Sequence, residues 1–216
     1  METYNIIYTA EKYKERLLDI ILNLKTGYSN YVDKKNKIFY NCGYYNGTYT
    51  TWDCWNWHKT LWWGWTSGFN KGSFLFAPNK NGIGDWNGRE ILDRCYDTSS
   101  DFKKVDEVEW LLTEKEDHAG VYIGETTYKG YIFNTAECTP QTNVMEGGCC
   151  LTYTDEQGRR FNHKGGAQAG AWKYHGKMPW IDYAQGEAGM KCTVQILQGN
   201  KALVNIEGMI NADIKG

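Results

Sequence analysis

Three strand-like runs that follow one another closely constrain the fold of this chain more than any other feature. They cover residues 108–112, 118–123 and 131–138. A polar turn containing Gly124, Lys129 and Gly130 joins the second run to the third, which predicts an antiparallel hairpin. An antiparallel sheet is therefore the expected framework of the protein.

The second of these strands is expected to place one ionisable side chain opposite an apolar face. Ala119, Val121 and Ile123 form the apolar side of the strand. His118 and Tyr122 alternate with them and should point the other way. Because histidine exchanges protons near neutral pH, His118 is the first candidate for a catalytic role.

Helical patterns occur in three places outside these strands. From about Thr9 to Leu24, apolar residues recur at three- and four-residue spacing, which predicts an amphipathic helix. A second helix should begin at Cys54, since Asp53 is a favourable N-terminal neighbour. A short third helix is expected at residues 88–96. The expected fold class is α+β, with N-terminal helices packed on a central antiparallel sheet.

The remaining segments divide into expected loops and expected strands. Residues 36–53 are rich in Gly, Asn and Tyr and indicate a loop, and residues 64–88 indicate a long irregular loop. Short strands are expected within residues 151–183. Two alternating runs near the C-terminus predict a hairpin that is too short to be a domain alone. We therefore expect one main domain at residues 1–186 and a hairpin extension at residues 187–216.

Composition argues against several classes of partner. Lys and Arg number 24 and Asp and Glu number 26, a balance that favours neither nucleic acid nor an anionic membrane. No apolar run approaches the roughly 20 residues of a spanning helix, and the N-terminus lacks the apolar core of a signal peptide. We therefore expect synthesis in the cytosol without membrane insertion. Seven cysteines argue against a disulfide framework and leave room for a reactive thiol.

Cys54 is the candidate nucleophile. A thiolate is favoured where the positive end of a helix dipole points at the sulfur, and Cys54 lies at a predicted helix start. His118 would be its base, and Glu137 on the next strand would orient the imidazole. Asn134 is the alternative for that orienting role, although alternation places it on the other face. His58 competes as the base by its i+4 spacing alone, although a packed helix histidine is the more ordinary interpretation.

Several other side chains have both a functional and a structural interpretation. Cys149 and Cys150 lack the spacing of common zinc sites, so we expect no metal and no other cofactor. His163 and His175 lie in basic, glycine-rich segments and either bind carboxylates or belong to a solvated loop. The ten Trp and sixteen Tyr either fill the core or line a cleft for sugar or peptide. The tryptophans favoured for substrate stacking are Trp52, Trp55, Trp86 and Trp180.

Two motifs resemble those of a known enzyme family. The first consists of Tyr40-Asn-Cys-Gly-Tyr-Tyr-Asn-Gly followed by Thr51-Trp-Asp-Cys-Trp-Asn. It resembles the Tyr, Gly-rich and Asp-Cys block of the NlpC-type papain-like cell-wall peptidases. The second motif, Asp117-His-Ala-Gly-Val-Tyr-Ile-Gly124, resembles the histidine strand of that family. The resemblance covers about residues 38–138, and a likeness to gut-phage lysins extends it to about residue 183.

This resemblance implies a papain-like fold and hydrolysis of bacterial peptidoglycan. It makes Cys54, His118 and Glu137 a catalytic triad that needs no cofactor. The Cys54 backbone N–H and the Tyr40 hydroxyl would hold the oxyanion. The implied setting is a phage endolysin that stays in the host cytoplasm and reaches the cell wall after release. The side chains expected beside the oxyanion and the substrate are Tyr40, Trp52, Asp53, Trp55 and Trp86.

The chain also departs from the family pattern. Trp55 and Asn56 follow the cysteine where the family usually has Ser-Gly. A glutamate as third residue is more typical of the related CHAP amidase and peptidase group, so both endopeptidase and amidase activity stay open. The alternatives are an acyltransferase or amidase with the same triad on another substrate, and a non-catalytic Trp-rich wall-binding module. A monomer and a homodimer through the terminal hairpin also stay open.

Overall fold

The computed structural model has an α+β fold built around one large sheet. It describes residues 2–5, 8–23, 31–33, 38–45, 48–52, 54–55, 57–58, 87–138, 149–178, 181–183, 190–197 and 201–209. The helices with defined bounds are α1 (Ala10–Asn23), α2 (Gly88–Leu92) and a single 3-10 turn (Phe102–Lys104). Within these described ranges, no helix is long and apolar enough to cross a membrane.

The strands are numbered in chain order. They are β1 (Glu2–Asn5), β2 (Tyr8–Thr9), β3 (Tyr31–Asp33), β4 (Ile38–Tyr45), β5 (Thr48–Trp52), β6 (Tyr96–Ser99), β7 (Glu109–Leu112), β8 (Ala119–Tyr128), β9 (Tyr131–Cys138), β10 (Cys149–Thr154), β11 (Arg159–Phe161), β12 (Gln168–Ala171), β13 (Tyr174–Lys177), β14 (Ile181–Asp182), β15 (Met190–Leu197) and β16 (Lys201–Met209).

The central sheet has eight strands in the order β12-β11-β10-β9-β8-β7-β13-β6. Every neighbouring pair in it is antiparallel. The three strands predicted between residues 108 and 138 are its adjacent members β7, β8 and β9. The short strands expected after residue 150 are also present, and they complete both sides of the sheet.

The predicted hairpin is formed by β8 and β9. Tyr128 pairs with Tyr131, so Lys129 and Gly130 form a two-residue turn. Their φ angles are 49° and 82°, and positive φ at both positions is the requirement of the type I′ turn that suits a twisted hairpin. The prediction that Gly124 belongs to this turn is wrong. It lies inside β8 with φ 72°, where the register shifts between Tyr122 and Thr126.

The predicted N-terminal helix is confirmed as α1. Its repeated apolar residues are buried, with Tyr13 and Leu17 at 0 % exposure and Ile21 at 4 %. This stripe at i, i+4 and i+8 packs into the main core beside β10, because one apolar face of an isolated helix must be covered to be stable.

The short third helix, α2, ends earlier than predicted. Asn87 caps its N-terminus, accepting from the backbone N–H groups of Arg89 and Glu90, while the Glu90 side chain accepts from the Asn87 backbone. The helix ends at Leu92, because residues from Tyr96 onward join the sheet as β6 and pair with β13. Sheet pairing therefore overrides the local helical pattern.

The prediction of a loop at residues 36–53 is wrong for most of that segment. Residues 38–45 and 48–52 form the antiparallel pair β4 and β5, and β4 also pairs with β3. Tyr45 pairs with Thr48, so the sequence between the strands is Asn46-Gly47, the pair most favoured in hairpin connections. The Tyr and Thr residues of this segment favour strands, and the glycine content obscured that signal.

The helix predicted to begin at Cys54 is shifted slightly along the chain. Cys54 and Trp55 lie in a turn, and Trp57 and His58 are helical. The predicted loop at residues 64–88 lies outside the described residues except for its last two. Cys54 therefore lies three residues before the helical residue Trp57 and is not itself helical.

The predicted terminal hairpin is confirmed as β15 and β16. Their register runs from Leu197 opposite Lys201 to Met190 opposite Met209. β15 also pairs with β1, so the N-terminal strand completes a three-stranded sheet with the hairpin. The division of the chain at residue 186 stays a prediction.

The two faces of the central sheet carry different chemistry. Leu112 and Ala119 are opposite each other in the register, and both lie against Gly88 of α2. Gly120 is opposite Glu137, on the other face. That second face holds buried polar side chains on β9, β10 and β11, including Glu137, Thr152 and Arg160. The candidate site is built around these side chains.

Candidate functional site

His118 is fixed in the short connection between β7 and β8. Its backbone N–H donates to the Thr113 hydroxyl at 3.2 Å, and its carbonyl accepts from the Thr113 backbone N–H at 3.1 Å. The Thr113 hydroxyl in turn donates to the Asp117 carboxylate at 2.8 Å. The histidine backbone is therefore held from both sides immediately before β8 begins.

The His118 imidazole and the Glu137 carboxylate form a close pair. His118 Nε2 donates to Glu137 Oε2 at 2.6 Å. The His118 side chain is 16 % exposed, whereas Glu137 is fully buried. Asn134, the alternative partner, instead bonds the backbone of Thr154, donating to its carbonyl and accepting from its N–H. Among these two predicted partners, Glu137 is the one that contacts the ring.

Glu137 is also held by residues from the next two strands. The Thr152 hydroxyl on β10 donates to Oε1 at 2.5 Å. Arg160 on β11 donates through Nε to Oε1 at 3.3 Å and through Nη2 to Oε2. Burial alone would raise the pKa of Glu137, but the charge of Arg160 and the hydrogen bonds from His118 and Thr152 outweigh it and lower the pKa to about 2. Glu137 is therefore a carboxylate at neutral pH.

This low pKa predicts a loss of stability in acid. The ordinary pKa of the group is 4.5, so its ionised form stabilises the fold above that pH, by about 3 kcal/mol. The stabilisation is lost as pH falls from about 4.5 through about 2, because the unfolded chain then binds the proton more tightly. Urea unfolding across this range should show a steeper decline for the wild type than for Glu137→Gln. Parallel curves for the two proteins would contradict the assignment.

Trp172 packs against the His118 side of the His118–Glu137 pair. Its ring stacks on His118 with centroids 5.3 Å apart and an interplanar angle of 16°. The Arg160 guanidinium lies over the same tryptophan, 4.7 Å from the ring centroid. The indole N–H donates to the Thr154 hydroxyl at 3.0 Å. Gly120 gives the ring its space, because a Cβ there would lie 3.0 Å from the Trp172 ring.

The segment that carries Cys54 packs against the start of β8. Cys54 is 9 % exposed. A Cβ added to Gly88 would lie 3.3 Å from the Trp55 ring and 3.6 Å from Ala119 Cβ, so both side chains surround the same glycine. Trp55 and Ala119 directly follow Cys54 and His118 in the chain. The candidate nucleophile and the candidate base thus belong to segments that meet at one point.

His58 is a core residue of that same segment. It is fully buried, shares a 2.7 Å hydrogen bond with the Tyr13 hydroxyl, and packs between Trp57 and Trp110. Burial is the main cause that lowers the pKa of His58 from 6.5 to about 3; the charge of a protonated His118 acts in the same direction, and Glu137 acts in the opposite direction. Such a histidine stays neutral near pH 7 and is a poor base. Its electrostatic interaction with His118 and Glu137 also shows that the two segments are close.

The other predicted site residues have mixed outcomes. Trp55 is half-buried beside α2. Tyr40 in β4 and Trp52 in β5 have described backbones, but their side chains lie outside the described part of the chain. Asp53 and Trp86, as well as Trp180, lie outside it entirely. The remaining tryptophan side chains that the structure describes are core residues: Trp57, Trp110 and Trp172.

Of the two downstream histidines, His175 differs from both interpretations given to it, whereas His163 lies in the connection between β11 and β12. His175 is buried, with Nδ1 bonded to the Glu109 carboxylate and Nε2 donating to the Asp101 carbonyl at 3.1 Å. It is neither a surface ligand nor part of a solvated loop, because it lies in β13 inside the sheet. His163 is half-buried and packs on Tyr131 with centroids 4.5 Å apart.

The cysteines whose side chains the structure describes form no disulfide: Cys54, Cys95, Cys138, Cys149 and Cys150. Cys149 and Cys150 are buried in β10, and burial raises the pKa of both, which suits inert core residues. In the part of the chain that the structure describes, no group of three or more His, Cys, Asp or Glu side chains could hold a metal ion.

Arg160, Trp172 and Thr152 are the site neighbours that sequence reasoning missed. The signal for them was indirect, since a buried Glu137 requires a cation and hydrogen-bond donors. No protein-family model, curated protein or solved structure matches this chain. The assignment of chemistry therefore depends on the residues themselves and on the motifs they form.

Proposed function

We propose that this protein is a cysteine hydrolase that cleaves a peptide or amide bond in the stem peptide of bacterial peptidoglycan. Cys54 is the nucleophile, His118 the base and Glu137 the orienting carboxylate, on a papain-like fold of the NlpC type. The observation that carries the proposal is the 2.6 Å contact of a partly exposed His118 with a buried, ionised Glu137. The Cys54 segment packs near Ala119, the residue that follows His118 at the start of β8.

The hydrogen-bond pattern of His118 suits a base. Because Nε2 donates its proton to Glu137, the neutral ring has its lone pair on Nδ1. Nδ1 takes the proton of the Cys54 thiol, which gives a thiolate beside an imidazolium. Glu137 stabilises that imidazolium and keeps the ring in this tautomer without itself taking the proton.

The reaction then proceeds through a thioester. The Cys54 sulfur attacks the amide carbonyl carbon, and the C–N bond breaks as His118 returns its proton to the leaving amine. A water molecule next gives a proton to His118 and attacks the thioester carbon. The C–S bond breaks, the carboxylic acid leaves, and the proton returns to the Cys54 sulfur. The Cys54 backbone N–H and the Tyr40 hydroxyl hold the oxyanion in both steps.

Peptidoglycan is the proposed substrate because of the two motifs around Cys54 and His118. The block that begins at Tyr40 and the strand at residues 117–124 both resemble those of cell-wall peptidases. A phage endolysin is the proposed setting. The endopeptidase and amidase alternatives differ in the bond that is cut, not in the roles of the three side chains.

Cys54→Ala should abolish the release of soluble muropeptides from purified sacculi. The substitution removes the nucleophile, and its small volume change leaves the packing of Trp55 and His58 in place. The rate is expected to fall by about a thousandfold or more. Mass spectrometry of the products from the wild type identifies which stem-peptide bond is cleaved.

The matched control is Cys95→Ala. Cys95 is a half-buried thiol whose pKa is raised by burial, and its Sγ donates to the Ile91 carbonyl, away from the pair. Its replacement should leave hydrolysis unchanged. Wall binding and lysis that persist in Cys54→Ala would instead support the non-catalytic binding module. Amide transfer to an added amine, without cleavage of sacculi, would support an acyltransferase.

A further inference from the structure

We propose that Arg160 and Trp172 are positioning residues that fix the working geometry of the His118–Glu137 pair. This inference depends on the proposed function, and it extends the site from three residues to five. Four side chains form a closed ring of contacts, in the order His118, Glu137, Arg160, Trp172 and back to His118. In such a ring no member can shift without displacing its neighbours.

Arg160 controls the carboxylate. Its guanidinium contacts both oxygens of Glu137 through Nε and Nη2, a bidentate geometry that fixes the plane of the carboxylate as well as its position. Only 10 % of the arginine side chain is exposed. Because Oε2 accepts from Arg160 and from His118 at once, the arginine determines where the imidazole finds its acceptor.

Trp172 controls the plane of the imidazole. The two rings are nearly parallel, so rotation of His118 about its side-chain bonds is blocked on that side. The indole is itself fixed by its N–H bond to Thr154 and by the backbone bond from Trp172 N to the Gly158 carbonyl at 2.7 Å. An electron-rich face also favours the imidazolium that forms during the reaction.

A second buried His–Glu pair in the same sheet shows what is particular about this site. His175 and Glu109 are each 2 % exposed in their side chains. Both ring nitrogens of His175 are engaged, with Glu109 and with the Asp101 carbonyl. The hydrogen bonds and ion pairs of Glu109 in the described region include no arginine. The His175–Glu109 pair is therefore structural. His118, in contrast, is partly exposed, and Arg160 and Trp172 contact the two members of its pair.

The test uses conservative and disruptive substitutions at each position. Arg160→Met removes the charge and both contacts, and Arg160→Lys keeps the charge but not the bidentate geometry. Trp172→Leu removes the ring, and Trp172→Phe keeps an aromatic face. We expect Arg160→Met to lower kcat on sacculi by about 100-fold, and Trp172→Leu by about tenfold, with KM nearly unchanged. The lysine and phenylalanine variants should recover part of that loss.

A second readout does not depend on hydrolysis. Iodoacetamide alkylates a cysteine as its thiolate, so the alkylation rate of Cys54 reports on proton transfer to His118. Peptide mass spectrometry resolves Cys54 from the other six cysteines. Arg160→Met and Trp172→Leu should slow this alkylation at neutral pH, although neither residue is expected to contact the substrate.

Arg159→Met is the matched control. Arg159 is the neighbouring residue on β11, but it is half-exposed and pairs with Asp155 instead of Glu137. It should leave kcat, KM and the alkylation of Cys54 unchanged. Equal effects at positions 159 and 160, or a change confined to KM, would overturn the positioning role. If the wild type does not cleave sacculi but Cys54 alkylation still depends on Arg160, the proposed substrate fails and the positioning inference survives.

Discussion

His118→Ala is expected to lower the hydrolysis of sacculi by about a thousandfold or more, because it removes the proposed acceptor of the Cys54 proton. The fold should survive the change. Glu137 would still be paired with Arg160 and hydrogen-bonded by Thr152, so no buried charge is left uncompensated. The loss should therefore appear in activity and not in the free energy of unfolding.

The measurement combines initial rates of muropeptide release with urea unfolding of the same samples. His163→Ala serves as the matched control, since His163 is also partly exposed and packs on an aromatic ring. That variant should keep wild-type rates. Retention of more than about a tenth of the rate by His118→Ala would mean that another group accepts the proton. His58 would then be the next residue to replace, despite its pKa of about 3.

The parts of the site predicted from sequence are those encoded by local periodicity. Alternation along residues 118–123 identified the face of His118, and the next strand placed Glu137 beside it. Both follow from the period of a β-strand, which is the same wherever the strand lies in the sheet. The i, i+4 pattern of α1 belongs to the same class of signal. These inferences need only the pairing of strands that follow one another directly in the chain.

The parts that could not be predicted depend on strand order and on distant segments. Arg160 reaches Glu137 only because β11 lies next to β10, which lies next to β9. Trp172 reaches His118 through the segment between β12 and β13, more than fifty residues later in the chain. His175 was misassigned for the same reason. Its basic, glycine-rich neighbourhood suggested exposure, whereas β13 inserts between β7 and β6 and buries it.

The glycine and asparagine residues of segment 36–53 led to the wrong prediction of a loop. Both residues are common in loops, but Asn46-Gly47 stands between two paired strands, where the same residues favour a tight connection. The error at the end of α2 has the opposite origin. There the local helical pattern was real, and pairing of β6 with β13 replaced it after Leu92. Tertiary contacts determine the secondary structure of short segments when their local preferences are weak.

Glu137→Ala is expected to cost about 3–5 kcal/mol of folding free energy, because it leaves the Arg160 guanidinium buried without its counter-charge. Arg160→Met should be costly for the converse reason, since a fully buried carboxylate would lose its cation. The double variant Glu137→Ala with Arg160→Met removes both charges and should be more stable than the sum of the single effects predicts. Urea unfolding of the four proteins gives the coupling energy between the two residues.

Glu125→Ala is the matched control for this cycle. Glu125 also pairs with a cation, Lys164, at 3.2 Å. The exposed fraction is 58 % for the Glu125 side chain and 50 % for the Lys164 side chain. Water replaces the lost partner there, so the stability should stay close to that of the wild type. Additive effects of Glu137→Ala and Arg160→Met would show that the two charges do not depend on each other. In that case the closed ring of contacts around His118 would have no energetic basis, and Arg160 would not determine the position of Glu137.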